Sequence, residues 1–120
     1  MVKFLKIKIV PKPWGREQYL VVTKKYALKI LEVKKGARLS LQYHRKKMET
    51  WYLLSGKLKV TYGKKTFTMK EGQVLHVPPR TIHRMEGLAN LTKIIEVQTP
   101  HLDDVVRLSD DYGRKGTSKA

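Results

Sequence analysis

Four side chains have the types and spacing to meet one divalent cation: Gln42, His44, Glu49 and His83. Ala37 to His44 reads as a strand. Residues two apart on a strand share a face, so Gln42 and His44 project to the same side. Arg45-Lys46-Lys47 is too charged for a core and reads as a polar loop. An apolar run, Trp51 to Leu54, begins just after Glu49. A hairpin would bring Glu49 back beside Gln42 and His44 from the adjacent strand, and His83 would supply a fourth ligand from downstream. Two imidazoles, one carboxylate and one amide carbonyl leave room for substrate oxygens around an ion. Only Glu49 is charged, so the ion stays net positive and electrophilic. Zn²⁺ is the first choice for one bound divalent ion. Mn, Co, Fe and Mg remain open, because ligand types alone do not select among them. A lone His in a β-barrel is more often a hydrogen-bonded core residue. His76 and His101 fall in that class, whereas paired spacings set His44 and His83 apart.

The elements that would carry these ligands are all strands. Met1 to Val10 alternates Lys with apolar residues and reads as an edge strand, its lysines guarding against edge-to-edge pairing. Pro11 and Pro13 stop it, and Lys12-Pro13-Trp14-Gly15 is an extended turn, with Trp14 as a plug over one barrel end. Strands follow at Glu17 to Thr23, Tyr26 to Val33 and Trp51 to Ser55. Leu58, Val60 and Tyr62 alternate with polar neighbours and imply a half-buried antiparallel strand. Gly63-Lys64 marks a hairpin, and Phe67 and Met69 are expected to face inward on its return. Val74 to Pro78, Thr81 to Met85 and Leu91 to Gln98 complete the set. Strands of this length, with turn signals every 8–12 residues, imply an all-β sandwich or barrel. Leu102 to Leu108 is either a short helix or a strapped loop. The expected division is one domain over 1–114, with 1–15 the N-terminal strand and turn and 102–114 a C-terminal strap. The basic stretch 115–120 has no apolar anchor and is expected to be a mobile tail.

Composition narrows the classes. At 120 residues and 41% hydrophobic content the chain makes one domain with a small core. It has no cysteine, which excludes disulfides, thiolate metal sites and cysteine nucleophiles. The interrupted N-terminal pattern is no signal peptide, and no apolar run reaches membrane-spanning length, so a cytoplasmic protein without a membrane partner is expected. The net charge of +16, from 26 basic and 10 acidic residues, favours anionic ligands. Lysines are spread along the chain and only two Phe and two Trp are available for stacking, which favours a sugar phosphate over nucleic acid.

Gly36, position 42, His44, Glu49 and Gly56 together resemble the first cupin motif. Gly72-Gln-Val-Leu-His-Val-Pro78-Pro-Arg-Thr-Ile-His83 resembles the second. Gln42 stands where cupins usually place His, which narrows the resemblance to the C-terminal isomerase domain of type II phosphomannose isomerase. That domain belongs to the bifunctional mannose-1-phosphate guanylyltransferase/mannose-6-phosphate isomerase family. Lys12-Pro13-Trp14-Gly15, Ile95-Glu96-Val97-Gln98, Asp103-Asp104-Val105-Val106-Arg107 and Asp110-Asp111-Tyr112-Gly113-Arg114 agree with it in order. The resemblance implies a double-stranded β-helix (jelly-roll barrel), a metal set of Gln42, His44, Glu49 and His83, and a homodimer. It implies interconversion of mannose 6-phosphate and fructose 6-phosphate, supplying nucleotide-sugar and polysaccharide synthesis. The family's loop commonly reads His-Arg-Ala-Glu-His-Trp; here Lys47 and Thr50 replace an Arg and a His, and Arg80 replaces a Gly. No guanylyltransferase half is present in 120 residues, so a separate guanylyltransferase is a candidate partner.

Such an isomerase needs a cation for the developing oxyanion and a base to carry a proton between carbons. Glu96 is the first candidate base, being acidic among apolar residues. A salt bridge to an interior Arg or Lys explains it equally well. His76 and Lys12 are second choices. Arg38, Lys47, Arg80, Arg84, Arg107 and Arg114 are the candidate phosphate ligands. The alternative role of Arg107 and Arg114 is pairing with Asp103, Asp104, Asp110 or Asp111. Arg38, four residues before Gln42, should share its face roughly 13 Å away. Three alternatives stand beside the isomerase: a non-catalytic module binding a sugar phosphate or nucleotide sugar, an Fe(II) dioxygenase of the same fold, and a nucleic-acid-binding protein.

Overall fold

A computed structural model describes residues 2–117. Among them every regular element is a strand: β1 (Lys8–Lys12), β2 (Gly15–Val22), β3 (Ala27–Lys34), β4 (Leu41–Tyr43), β5 (Glu49–Ser55), β6 (Lys57–Tyr62), β7 (Lys65–Lys70), β8 (Val74–Val77), β9 (His83–Gly87), β10 (Leu91–Gln98), β11 (Val106–Ser109) and β12 (Gly116–Thr117). They form two antiparallel six-stranded sheets, in the orders β1-β2-β3-β10-β5-β8 and β12-β11-β4-β9-β6-β7. The core lies between them: Trp14, Leu31, Val33, Leu39, Trp51, Leu53, Leu58, Val60, Met69, Val77, Met85 and Ile94 form one buried cluster. No helix is long and apolar enough to cross a membrane among the described residues.

The strand alternation holds where one face must be buried. On β6, Leu58 and Val60 are buried while Lys57 and Lys59 are exposed. The N-terminal edge is shorter than its Lys/apolar alternation suggests. Pairing begins at Lys8, and β1 runs through Pro11. An edge strand tolerates proline because one row of its N–H groups has no ladder partner. Pro13-Trp14 then turns the chain, and Lys12 lies opposite Gly15. A Cβ on Gly15 would meet the Glu32 carbonyl oxygen at 1.8 Å, so only glycine lets the turn close on β3.

Three expectations are corrected. Met69 is buried but Phe67 is 37% exposed, at the outer edge of the second sheet. Of the two readings of Leu102 to Leu108 the helix is absent: turns lead into the start of β11. Gly116 and Thr117 are not a free tail: they pair with Arg107 and Val106, since the backbone of β11 offers a ladder that needs no apolar side chain. Residues 118–120 lie outside the described residues. Lastly, the strand expected from Ala37 to His44 is broken. Arg38 makes only an isolated bridge to Glu86, and Leu39 and Ser40 are buried consecutively. The inward phase therefore switches from odd to even residues, turning Arg38 outward.

Candidate metal centre

The ligand residues come from both sheets. In the second sheet Gln42 on β4 lies opposite His83 at the start of β9. In the first sheet Glu49 opens β5, between Val77 of β8 and Gln98 of β10. Residues 44–48 carry the chain from one sheet to the other. The expected hairpin between adjacent strands is thus replaced by a crossing. Alternation fixes which face a residue takes, but not which sheet. The crossing still brings His44, Glu49 and His83 together, their ligand atoms all within 4.8 Å of one another and all three residues buried.

The fit of this set to a cation rests on where the protons lie. His44 Nδ1 is 2.6 Å from the Asp104 carbonyl oxygen, and His83 Nδ1 is 2.8 Å from that of Thr81. A carbonyl only accepts, so each Nδ1 donates, and a ring that carries no second proton presents a bare Nε2. Both Nε2 atoms are buried without a hydrogen-bond partner. They face the Glu49 carboxylate, at 3.1 Å from Oε2 for His44 and 3.7 Å from Oε1 for His83. Lone pairs this close repel unless a positive species, a proton or a metal ion, lies between them. Ring nitrogens fixed by carbonyls behind them are the usual support of metal-binding histidines. Burial holds the His83 imidazolium below its ordinary pKa, leaving it neutral and able to ligate. Burial alone would raise the Glu49 pKa, but contacts with His44, Lys47 and His83 outweigh it and hold the carboxyl well below the usual range. The Trp51 indole donates to Glu49 Oε1 at 3.0 Å and stands edge-on to His83. Gln42 lines the same cavity, and its Oε1 accepts from Ser40 Oγ at 3.2 Å. An amide oxygen has a second lone pair, so Gln42 can still ligate. The set fits one divalent ion with N and O ligands.

The loop that crosses between sheets is held by Asp104. Its carboxylate accepts the backbone N–H groups of Arg45, Lys46 and Lys47 at 3.0, 2.7 and 2.9 Å. Burial would raise its pKa, but these three bonds pull it down to about 2. With its carbonyl on His44, Asp104 fixes both the loop and a ligand. Lys47, expected in a solvated loop, is instead buried, its Nζ 3.5 Å from Glu49 Oε2. The loop can bury it because Glu49 supplies a counter-charge.

The remaining candidates divide by cavity. Lys12, Lys47, Glu96, Arg107 and Arg114 line the same space as the ligands. Arg107 is buried, lies opposite Gln42, and its Nε has no partner. Arg114 also lines the cavity but is clamped by two bonds from its guanidinium to the Asp110 carboxylate. Arg38 is bound to Asp111 at 2.6 and 2.9 Å, outside the cavity. Arg84 donates to the Leu39 and Ser109 carbonyls and braces the strands. Arg80 is exposed and has a φ of 64°, the left-handed backbone that favours glycine. This explains why a glycine suits that position, and its N–H donates to the His44 carbonyl at 2.6 Å. His76 is exposed, its Nδ1 3.0 Å from Thr50 Oγ1. It points outward because the inward residues of β8 are the odd ones.

Two lining residues were not singled out in the sequence. Lys29 on β3 and Glu17 on β2 form a buried ion pair at 3.0 Å, and Lys29 also lies 3.4 Å from Glu96. Lys12 joins Glu17 at 3.6 Å. A lysine on the inward face between Ala27 and Leu31 was the available signal, since such a charge is costly without partners. The Glu96 carboxyl is pushed up to about 7, by burial first and then by Glu49, against the pull of Lys29 and Lys47. Glu17 is lowered despite burial, chiefly by Lys29. Lys29 is held charged by both carboxylates. One ammonium is thus shared unequally: Glu17, with shorter contacts and Lys12 beside it, is the ionised partner, and Glu96 is the one that exchanges a proton near neutrality.

A family model described as mannose-6-phosphate isomerase C-terminal matches residues 4–110. The alginate biosynthesis protein AlgA of Pseudomonas aeruginosa is 38% identical over 109 residues, covering 88% of this chain and 23% of that protein. Mannose-1-phosphate guanylyltransferase RfbM of Salmonella typhimurium is 35% identical over 113 residues, covering 90% and 23%. The chain therefore spans about a quarter of the length of these relatives. Among solved structures, KdgF from Halomonas sp. superposes with a TM-score of 0.73 at 16% identity, covering 81% of this chain and 89% of that one; this likeness concerns the fold. Matched along nearly its whole length and folded as a cupin, the chain belongs to the mannose-6-phosphate isomerase C-terminal family.

Proposed function

We propose that this domain is a metal-dependent aldose–ketose isomerase that interconverts mannose 6-phosphate and fructose 6-phosphate. The observation that carries this reading is the pairing of the His44–Glu49–His83 cluster with Glu96 in one cavity. An ion held by Gln42, His44, Glu49 and His83 would supply positive charge to the sugar oxygens that become anionic, with Zn²⁺ the first choice. Glu96, which changes protonation near pH 7, takes the proton from C2 of the aldose and returns it to C1 of the enediolate, while the hydroxyl proton of O2 passes to O1, leaving the ketose. The cavity is small, about 50 Å³, room for an ion and a few oxygens. The phosphate end of the sugar therefore lies at the mouth. Arg107 lines the cavity with an unpartnered Nε, and Lys47 lies beside the ligands. Lys12 and Arg114 add charge at the cavity wall. The cavity lining carries Lys12, Lys29, Lys47, Arg107 and Arg114 against Glu17, Glu49 and Glu96, an excess that suits a dianionic phosphate.

Proton NMR of mannose 6-phosphate in D₂O with the metal-loaded protein tests this. Deuterium entering C2, or conversion to fructose 6-phosphate, is expected, and both should vanish in His83→Ala. A sugar phosphate that binds without exchange under Zn, Mn, Co and Fe would instead make the domain a binding module. Lys47 in place of an arginine is the observation that favours that second reading, because a lysine lacks the bidentate fork.

A further inference from the structure

Lys29 is 3% exposed in the middle of β3. A lysine buried this deeply is retained only if its charge is matched. The registers explain what it meets. Glu96 is its partner across β10, and Tyr19 across β2. Glu17 lies two residues before Tyr19 on the same face of β2. The ammonium stands 3.0 Å from Glu17 Oε1, 3.4 Å from Glu96 Oε2, and 5.3 Å from the centre of the Tyr19 ring. Glu17 is fixed further by the Tyr19 hydroxyl at 3.2 Å and by Lys12. Glu96, in contrast, has no protein hydrogen-bond donor beyond this contact among the described residues, and it faces the metal cavity.

We propose that Lys29 is a positioning residue for the isomerisation and Glu17 its counterweight: together they fix where the Glu96 carboxylate points and how much of the ammonium's charge it receives. This rests on the reading of Glu96 as the base. If Lys29 moved onto Glu96 alone, the carboxylate would be held ionised and would be a weak base. Without Lys29, burial and Glu49 would keep it protonated. Sharing with Glu17 leaves it between those limits. The charged groups facing Glu96 are Lys29 on β3, Glu17 on β2, Glu49 on β5 and Lys47 in the crossing loop. Two of these, Glu17 and Lys29, belong to neither the metal set nor its loop. The N-terminal hairpin thereby reaches the reacting carbon without touching it.

The test uses the metal-loaded full chain and the variants Lys29→Met, Lys29→Arg and Glu17→Gln. Carbon NMR of labelled glutamate, with Glu96→Gln for assignment, follows the Glu96 titration directly. Rates of mannose 6-phosphate isomerisation across pH give kcat and KM, and metal content is measured on each variant. Lys29→Met should move the Glu96 midpoint up by at least about one pH unit and Glu17→Gln should move it down. The acid limb of kcat should follow in the same two directions. KM should change less than about twofold, and metal content should not change. Lys29→Arg should restore the wild-type midpoint more closely than Lys29→Met does. A merely structural lysine would lower activity without opposite shifts, and that result, or shifts of one sign, overturns the proposal. If Lys29→Met does not fold, the test becomes a downward shift in Glu17→Gln with Lys29→Arg near the wild-type midpoint, and the absence of that downward shift overturns the proposal. Opposite shifts in a protein that does not isomerise would refute the catalytic half and the isomerase reading together. Isomerisation without opposite shifts would refute only the role of Lys29.

Discussion

Along β3, β5 and β10 the inward side chains change character within two to four residues. Lys29, Glu49 and Glu96 lie toward one end of the barrel; Leu31 and Ile94 lie one inward step further along, and Leu53 lies two steps beyond Glu49, past Trp51. Ile94 is paired with Leu31 and Leu53, just as Glu96 is paired with Lys29 and Gln98 with Glu49. The same strands and the same burial thus serve opposite ends. At the apolar end, packing removes side chains from water and stabilises the fold. At the charged end, buried groups cost free energy that is only offset by pairing, and two imidazole nitrogens remain unsatisfied. The lesson is that the sandwich's stability is concentrated beyond Leu31, Leu53 and Ile94, which lets the other end hold a site that is poorly satisfied on its own.

The sharpest way to break this comparison is to remove a ligand. His44→Ala or His83→Ala should abolish stoichiometric metal binding and lower C2 proton exchange by at least about 10²-fold, read by metal analysis and NMR. The metal-free variants should unfold at a denaturant concentration no lower than the metal-free wild type, because each removes an unpartnered buried nitrogen. A large loss of stability without metal would show the charged end to be part of the core. At the other end, Leu53→Ala should cost about 2–5 kcal/mol in denaturant unfolding and leave metal content per folded chain unchanged.

Acid–base behaviour sharpens the contrast next. Glu96 is raised in the fold from an ordinary value near 4.5 to about 7. A carboxyl with a raised folded pKa contributes stability that is fully present below 4.5 and is lost as pH rises through 7. The metal-free protein should therefore lose roughly 3 kcal/mol across that window relative to Glu96→Gln, with a bound cation shrinking the difference. Asp104 has the opposite sign. Its pKa is lowered to about 2, so its contribution is present above its ordinary value of 3.8 and disappears as pH falls through 2. Asp104→Ala should release the crossing loop and weaken metal affinity by about 10–100-fold, as seen in metal titrations at pH 7.

What the sequence made legible follows from the range over which each rule acts. That His44, Glu49 and His83 would cluster was legible because motif spacing is local. Leu91–Gln98 and the Gly63 hairpin were legible for the same reason. The sheet that holds Glu49 was not, since alternation is identical whether a strand continues its neighbour's sheet or crosses to the facing one. Arg38 was misplaced by the phase switch at Leu39 and Ser40, where consecutive buried residues leave no pattern to count. Lys47 looked solvated because its neighbours are, and only the Glu49 carboxylate explains its burial. Lys29 was visible as a charge on an apolar face, but its partners Glu17 and Glu96 are brought to it by pairing across two strands.

The smallest effect compares two arginines once read as equivalent. Arg38 is spent on Asp111 at 2.6 and 2.9 Å on an open surface, where ion pairs contribute little. Arg38→Ala should leave the unfolding midpoint, KM and kcat within error of wild type. Arg107 is buried against Arg114 and Gln42 with an idle Nε. A donor left idle in the free protein and filled by substrate phosphate should show itself in binding. Arg107→Ala should raise KM for mannose 6-phosphate by about tenfold or more, in keeping with about 1.5–3 kcal/mol for a charged hydrogen bond. It should leave metal content intact, and inorganic phosphate should inhibit wild type more strongly than the variant. If Arg38→Ala raised KM and Arg107→Ala did not, the phosphate would lie outside the cavity mouth. The idle guanidinium would then be a bystander held in place by strand pairing alone.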